Sequence, residues 1–287
     1  MAVRESMDLH GVRQLKALGQ NFLIDKNIPE KIVRLAGIDK QCGVLEIGPG
    51  LGALTVELGS AAGRVVAVEL DRRLLPLLGE RLAERQNVEI VQGDILKLDI
   101  NGLVCGKMPE LRHQVCANLP YNITTPVLTL LIDSHIFERI TVMLQREVAR
   151  RICAGPGSPD YSAFSVYMNY HAEPEILFDV PPECFSPRPK VHSSVVKIDT
   201  RSKRLLEPEK EKVFFRVVRA AFGQRRKTLV NALHSVFGSS LGKEDIAGFV
   251  MQCGFGANVR GEKLGIEDFA RLAEYFGNAE CGIRNAE

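Results

Sequence analysis

The four residues Asn118-Leu119-Pro120-Tyr121 put a carboxamide, an imino acid and a phenol side by side. Such a set can grip a flat polar ring, with the carboxamide at its edge and the phenol on its face; aromatic stacking on a base is worth about 1–3 kcal/mol. The same stretch also suits a plain strand-to-helix turn, with Thr124 or Thr125 capping a helix that begins near Pro126. Three other loops carry comparable residues. EIGPGLG supplies Glu46, Gly48, Gly50 and Gly52, whose glycines permit a tight turn and let a ligand lie against bare main chain. Glu69 ends an apolar run and could accept two hydrogen bonds from a ribose diol. Asp94 followed by Ile95 could accept from an exocyclic amine while the aliphatic side chain covers a purine face. Singly, each has an ordinary structural reading as a turn, a solvated acid or a cap.

For these residues to meet, several strand ends must converge. Apolar runs at 43–47 (GVLEI), 64–70 (RVVAVEL), 88–92 (VEIVQ), 113–117 (HQVCA) and 140–145 (ITVMLQ) alternate with helical stretches, among them a charged segment at 71–85 with Leu at 74, 75, 78 and 82. This alternation predicts right-handed crossovers and an α/β fold with a mostly parallel sheet covered on both faces. Ligands of such sheets bind beyond the carboxyl ends of the strands, which is where Gly48, Glu69, Asp94 and Asn118 fall. One match is weak; four at successive strand ends describe one site. It has no Gly-Lys-Ser/Thr element and no lysine to hold phosphates. Backbone along an extended tail, a carboxylate on ribose and an acid on an adenine amine together describe S-adenosylmethionine.

Beyond residue 151 the texture changes. FSVYMNY (164–170), EILFDV (175–180) and SSVVKI (193–198) read as strands, predicting an antiparallel pair at the sheet edge. Helical patterns follow at 209–222, 226–237, 243–252 and 266–276, joined by short loops containing glycine. The polar stretch TRSKRLLEP (200–208) places the boundary, giving domains 1–204 and 205–287. In a chain of 287 residues, 45% hydrophobic content is ample for a core, and no apolar run approaches the roughly 18 residues a bilayer requires. MAVRESMDLHGVRQLKALGQ lacks an apolar signal core, and its acids disfavour a transit peptide, so the expectation is a cytoplasmic protein. Seven cysteines without a CxxC pair and six isolated histidines predict no disulfide framework and no metal.

Taken together, the chain resembles the small-subunit (16S) ribosomal RNA adenine N6,N6-dimethyltransferases. The resemblance rests on LGQNFLID (18–25), VLEIGPGLGALT (44–55), VAVELD (66–71), GDIL (93–96), NLPYNITTP (118–126), MLQREVARRI (143–152), FSPRPKVHSSVV (185–196) and AFGQRRKTLVNAL (221–233). It implies a Rossmann-like methyltransferase sheet with a small C-terminal all-α domain. It also implies methyl transfer from S-adenosylmethionine to N6 of two adjacent adenosines near the 3′ end of small-subunit rRNA, during biogenesis of that subunit. Carried over by position, the cofactor contacts are Asn21, Leu23, Gly48, Glu69, Asp94 and Asn118. In that family the QNFLID stretch folds over the cofactor, whereas the residues alone read as a cap before a helix at 28–36. Tyr161-Ser162 stands where the family usually has Tyr-Gly, so a slightly altered loop without loss of activity is expected.

An adenine amine is a poor nucleophile because its lone pair is delocalised into the ring. The side-chain oxygen of Asn118 and the carbonyl of Leu119 could accept its N–H groups, while Pro120 stiffens the turn and removes a competing donor. Tyr121 would stack on the target base and Phe185 would cover its other face, although on residues alone Phe185 reads equally as a core side chain. A base that must leave its stack points to an RNA loop or end as substrate.

Between 186 and 230, thirteen Lys or Arg face four Asp or Glu, under a net charge of only +2. Arg188, Lys190, Arg225, Arg226 and Lys227 are expected to contact RNA phosphates of the small subunit. The last three would open a helix at 226–237, where the macrodipole disfavours cations. A monomer is expected. The nearest alternative is the large-subunit rRNA adenine methyltransferase of the macrolide-resistance type, against which FGQRRKTLVNAL argues. A mainly non-catalytic assembly factor and a DNA adenine methyltransferase fit less well.

Overall fold

The computed structural model describes residues 21–224 and 226–284. Arg225 and part of the LGQNFLID stretch lie outside them. In chain order the first elements are β1 (Phe22–Leu23), α1 (Asn27–Ala36), β2 (Cys42–Ile47), α2 (Ala53–Ala61), β3 (Arg64–Glu69), α3 (Leu75–Arg81), β4 (Val88–Gln92), α4 (Ile100–Lys107), β5 (Arg112–Asn118), α5 (Thr124–Asp133) and β6 (Arg139–Gln145). Then follow α6 (Arg146–Cys153), α7 (Ala163–His171), β7 (Ala172–Val180), β8 (Phe185–Ser186), β9 (Ser193–Thr200), α8 (Pro208–Gly223), α9 (Leu229–Phe237), α10 (Lys243–Gln252) and α11 (Ile266–Arg284).

The chain forms two compact units, one running to Ala149 and resuming at Glu173–Thr200, the other comprising Arg150–Ala172 and the chain from Arg201. The first is built on a seven-stranded sheet in the order β4-β3-β2-β5-β6-β9-β7. The strands β4 through β6 are parallel to their neighbours, β9 is antiparallel to β6, and β7 lies outside β9. β2 is buried at every position, as a strand covered on both faces must be. The register puts Glu69 opposite Gln92 and Asn118 opposite Met143, so the carboxyl ends of the central strands open along one edge. A separate two-stranded ribbon pairs Phe22 with Ser186 and Leu23 with Phe185.

The second unit has its own apolar core, in which Tyr161, Val166 and Tyr170 join Phe214, Leu233, Phe237, Phe269 and Phe276. The segment 150–172, expected in the first domain, therefore packs with the C-terminal helices. FSVYMNY is correspondingly α7, a helix and not a strand. Its Phe, Val and Tyr favour strands locally. A capping box between Ser162 and Ser165 and burial of Val166 and Tyr170 one turn apart override that preference. Ser162 caps the helix from an extended conformation (φ −152°), so the departure from Tyr-Gly introduces no backbone strain. α9 begins at Leu229, not at 226; Arg226 and Lys227 sit in the turn before its N-cap, Thr228.

Candidate functional site

The turn after β2 is the floor of the site. Gly48 (φ 68°) and Gly50 (φ 59°) occupy the left-handed region, which a side chain disfavours. A Cβ on Gly50 would also come within 3.1 Å of the Phe22 ring. The loop is braced from β3: Glu69 accepts the Gly50 N–H through Oε2 at 3.1 Å and the Asp71 N–H through Oε1 at 2.8 Å. Glu69 is 5% exposed, and burial pushes its carboxyl above the ordinary range while those two amides oppose the shift. Beyond β4, Asp94 accepts from the Leu96 amide at 3.1 Å and lies 3.6 Å from the Lys97 ammonium.

Asn118 ends β5. Its Nδ2 donates to the main-chain carbonyl of Asn21 at 3.3 Å, which orients the carboxamide and leaves Oδ1 as the acceptor. The Leu119 amide is committed to the Met143 carbonyl at 3.0 Å. The Pro120 and Tyr121 carbonyls accept from the Thr124 hydroxyl at 3.2 and 3.4 Å. No donor among the described residues pairs with the Leu119 carbonyl. Thr124 thus ties the turn together as the first residue of α5 and does not cap it; the N-cap is Ile123, with no side-chain cap bond. The Tyr121 hydroxyl shares a 2.8 Å hydrogen bond with Ser193 at the start of β9. Burial raises the Tyr121 pKa, with the Ser193 bond opposing.

One cavity opens over these strand ends. Its lining includes Asn21, Leu23, Gly48, Glu69, Asp94 and Asn118 together with Leu119, Pro120 and Tyr121. The structure brings these nine residues into one place. It does not bring Phe185 there: that ring is 3% exposed, pairs with Leu23 in the ribbon and packs in the core with Ile32, Val33 and Val195. Arg188 is exposed and ion-paired with Glu183; Lys190 is exposed in the same loop. Arg226 and Lys227 are exposed in the second unit. Among the described residues no cluster of His, Cys, Asp or Glu could hold a metal ion, and no helix is long and apolar enough to cross a membrane.

Sequence reasoning names Glu46 in the EIGPGLG loop but gives it no role of its own. It lines the same cavity, is 1% exposed, and its Oε2 has no hydrogen-bond partner among the described residues. The available signal was an acid inside the apolar run GVLEI. Burial pushes its pKa up to about 8; the nearby Thr55 hydroxyl opposes this without meeting hydrogen-bond geometry, and the Glu69 charge adds to it. The folded protein therefore binds a proton at Glu46 that the unfolded chain releases above about 4.5. Stability conferred by the protonated form is complete below that value and is lost as pH rises toward about 8. Glu46→Gln should remove this dependence, whose slope reaches at most about 1.4 kcal/mol per pH unit. Denaturant midpoints of the two proteins measured from pH 5 to 8 check it, and parallel curves would contradict the assignment.

A parallel sheet with a glycine turn, two strand-end acids and a carboxamide around one cavity defines a Rossmann-like methyltransferase. The family described as ribosomal RNA adenine dimethylase matches residues 12–277, and the chain belongs to it. It is similar to the ribosomal RNA small subunit methyltransferase A of Lachnoclostridium phytofermentans (46% identity, 90% of each chain) and of Moorella thermoacetica (46%, 92% of each). Among solved structures it resembles a dimethyladenosine transferase from Plasmodium falciparum (TM-score 0.77, 25% identity, 90% of this chain and 98% of that one). It also resembles the 23S rRNA methyltransferase ErmE (TM-score 0.72, 26% identity, 90% of this chain and 100% of that one).

Proposed function

We propose that this chain dimethylates N6 of two adjacent adenosines near the 3′ end of small-subunit rRNA, with S-adenosylmethionine as the methyl donor. The observation that supports the reading is that Asn118, Leu119 and Tyr121 line one cavity, with the Asn118 Nδ2 engaged by the Asn21 carbonyl and the Leu119 carbonyl without a donor among the described residues. The cavity fits the cofactor chemically. The Gly48–Gly50 turn leaves bare main chain for its tail, and Glu69 and Asp94 offer acceptors to ribose and adenine. Each transfer leaves the C–S electron pair on sulfur, gives the amine nitrogen one methyl and releases one proton to water. The two acceptors hold the amine N–H groups and favour a pyramidal nitrogen with its lone pair free. Most of the remaining contribution is positioning.

The substrate arm separates this reading from a large-subunit enzyme, to which the fold is also close. Labelled methyl groups should enter unmethylated small subunits, and not large subunits, when these and naked rRNA are offered in parallel. Label in large subunits alone would overturn the reading. The same proposal has the protein acting in the cytoplasm as a monomer.

The exposed cations are read as phosphate contacts. Two adjacent cations just ahead of α9 gain nothing from its macrodipole, so folding does not account for them. Replacing Arg226 and Lys227 with Ala should weaken small-subunit binding and lower the log–log salt slope by somewhat under one, about 0.7–0.9, per lost phosphate contact. An unchanged slope would make them a solvated face. Arg225 belongs to the same expectation.

A further inference from the structure

We propose that Ser193 is a positioning residue for methyl transfer: by holding the Tyr121 hydroxyl it fixes the ring against which the target base lies, and it matters more for the second methyl than for the first. The proposal rests on the reading above that Tyr121 stacks on the base. Ser193 is fully buried at the first position of β9, where it pairs with Gln145 at the end of β6. Its chain neighbours are held on both sides. The neighbouring His192 carbonyl accepts the Arg146 amide at 3.0 Å, and the Ser194 hydroxyl donates to Asp179 Oδ1 at 2.5 Å. Its own hydroxyl is therefore presented from a rigid strand end, and its partner at 2.8 Å is the Tyr121 hydroxyl. Tyr121 itself is half-buried, lies in the turn after β5 and has its carbonyl held by Thr124. One end of the tyrosine is thus fixed by the turn and the other by the sheet.

The difference between the two transfers follows from counting donors. An unmethylated adenine amine has two N–H groups, one for each of the two acceptors. After the first transfer one N–H remains, so one of those hydrogen bonds is gone. A larger share of the orientation of the monomethylated base then falls on the stack with Tyr121. Loosening that ring should slow the second step more than the first.

The test measures monomethyl- and dimethyladenosine over time on small subunits with Ser193→Ala, Tyr121→Phe, the double variant and Tyr121→Ala. Ser193→Ala and Tyr121→Phe each remove the tie from one side. Each should slow the second transfer about 2- to 10-fold, the size expected for one lost hydrogen bond, with a smaller effect on the first and unchanged S-adenosylmethionine affinity. Monomethyladenosine should accumulate. The double variant should match the singles, because both delete the same contact. Additive effects, or an unchanged mono-to-dimethyl ratio in Tyr121→Phe, would overturn the proposal. Tyr121→Phe keeps the outcome decisive if Ser193→Ala fails to fold. Tyr121→Ala tests the underlying reading separately: full activity there would remove Tyr121 from the base site. Loss there with normal product ratios in the other variants would remove only the tie.

Discussion

Asn118→Ala is expected to lower methyl transfer by about 10²–10³-fold, the range seen when a single preorganised hydrogen-bonding group aimed at the reacting centre is removed. The carboxamide is oriented before substrate arrives, because its Nδ2 donates to the Asn21 carbonyl and its Oδ1 remains as the acceptor for an incoming amine. An acceptor that strengthens as the nitrogen becomes pyramidal and its N–H more acidic acts mainly in the transition state. Its loss should therefore appear in kcat and not in substrate binding. Cofactor affinity should weaken modestly, since Asn21 also lines the cavity and loses its link to β5. Single-turnover kinetics beside calorimetry of cofactor binding separate the two effects. Near-normal turnover would show that the Leu119 carbonyl suffices alone and that Asn118 has been given the wrong role.

The strand ends were legible because parallel strands buried on both faces are written as continuous apolar runs, and the first polar residue after each run marks its exit. Gly48, Glu69, Asp94 and Asn118 could be read from that rule alone, and all four line one cavity. Asn21 and Leu23 could not; only the resemblance pointed to them, since a two-residue strand such as β1 has no periodicity to detect. Phe185 shows the converse. An aromatic in a Pro-rich loop reads equally as site or core, and in this structure the ring is 3% exposed and packs with Ile32, Val33 and Val195. FSVYMNY was ambiguous for a related reason, its residues favouring strands while its cap and tertiary burial made a helix. The Tyr121–Ser193 bond joins positions 72 residues apart, and nothing local in either stretch announces it. Contacts of that kind are set by sheet order, which a single sequence does not spell out.

Glu69→Ala should leave the saturated rate nearly intact and raise the dissociation constant for S-adenosylmethionine about 10- to 100-fold, as expected when hydrogen bonds to a charged group worth about 1.5–3 kcal/mol are lost. Two contributions add. The variant removes the acceptor offered to the ribose, and it frees the Gly50 and Asp71 amides that the carboxylate now holds at 3.1 and 2.8 Å. The second contribution also loosens the glycine turn, so a fall in thermal stability should accompany the loss of affinity. Glu69→Gln is no neutral control, because its NH2 group would face one of two backbone donors. In the unaltered protein the raised pKa of Glu69 gives a matching signature: affinity should decline as pH falls through that value, because protonation removes the charged acceptor. Calorimetry across pH on both proteins checks this. Unchanged affinity in Glu69→Ala would make the residue a brace for the loop and nothing more, and the pH dependence of binding would then have to come from another group in the cavity, with Glu46 the next to examine.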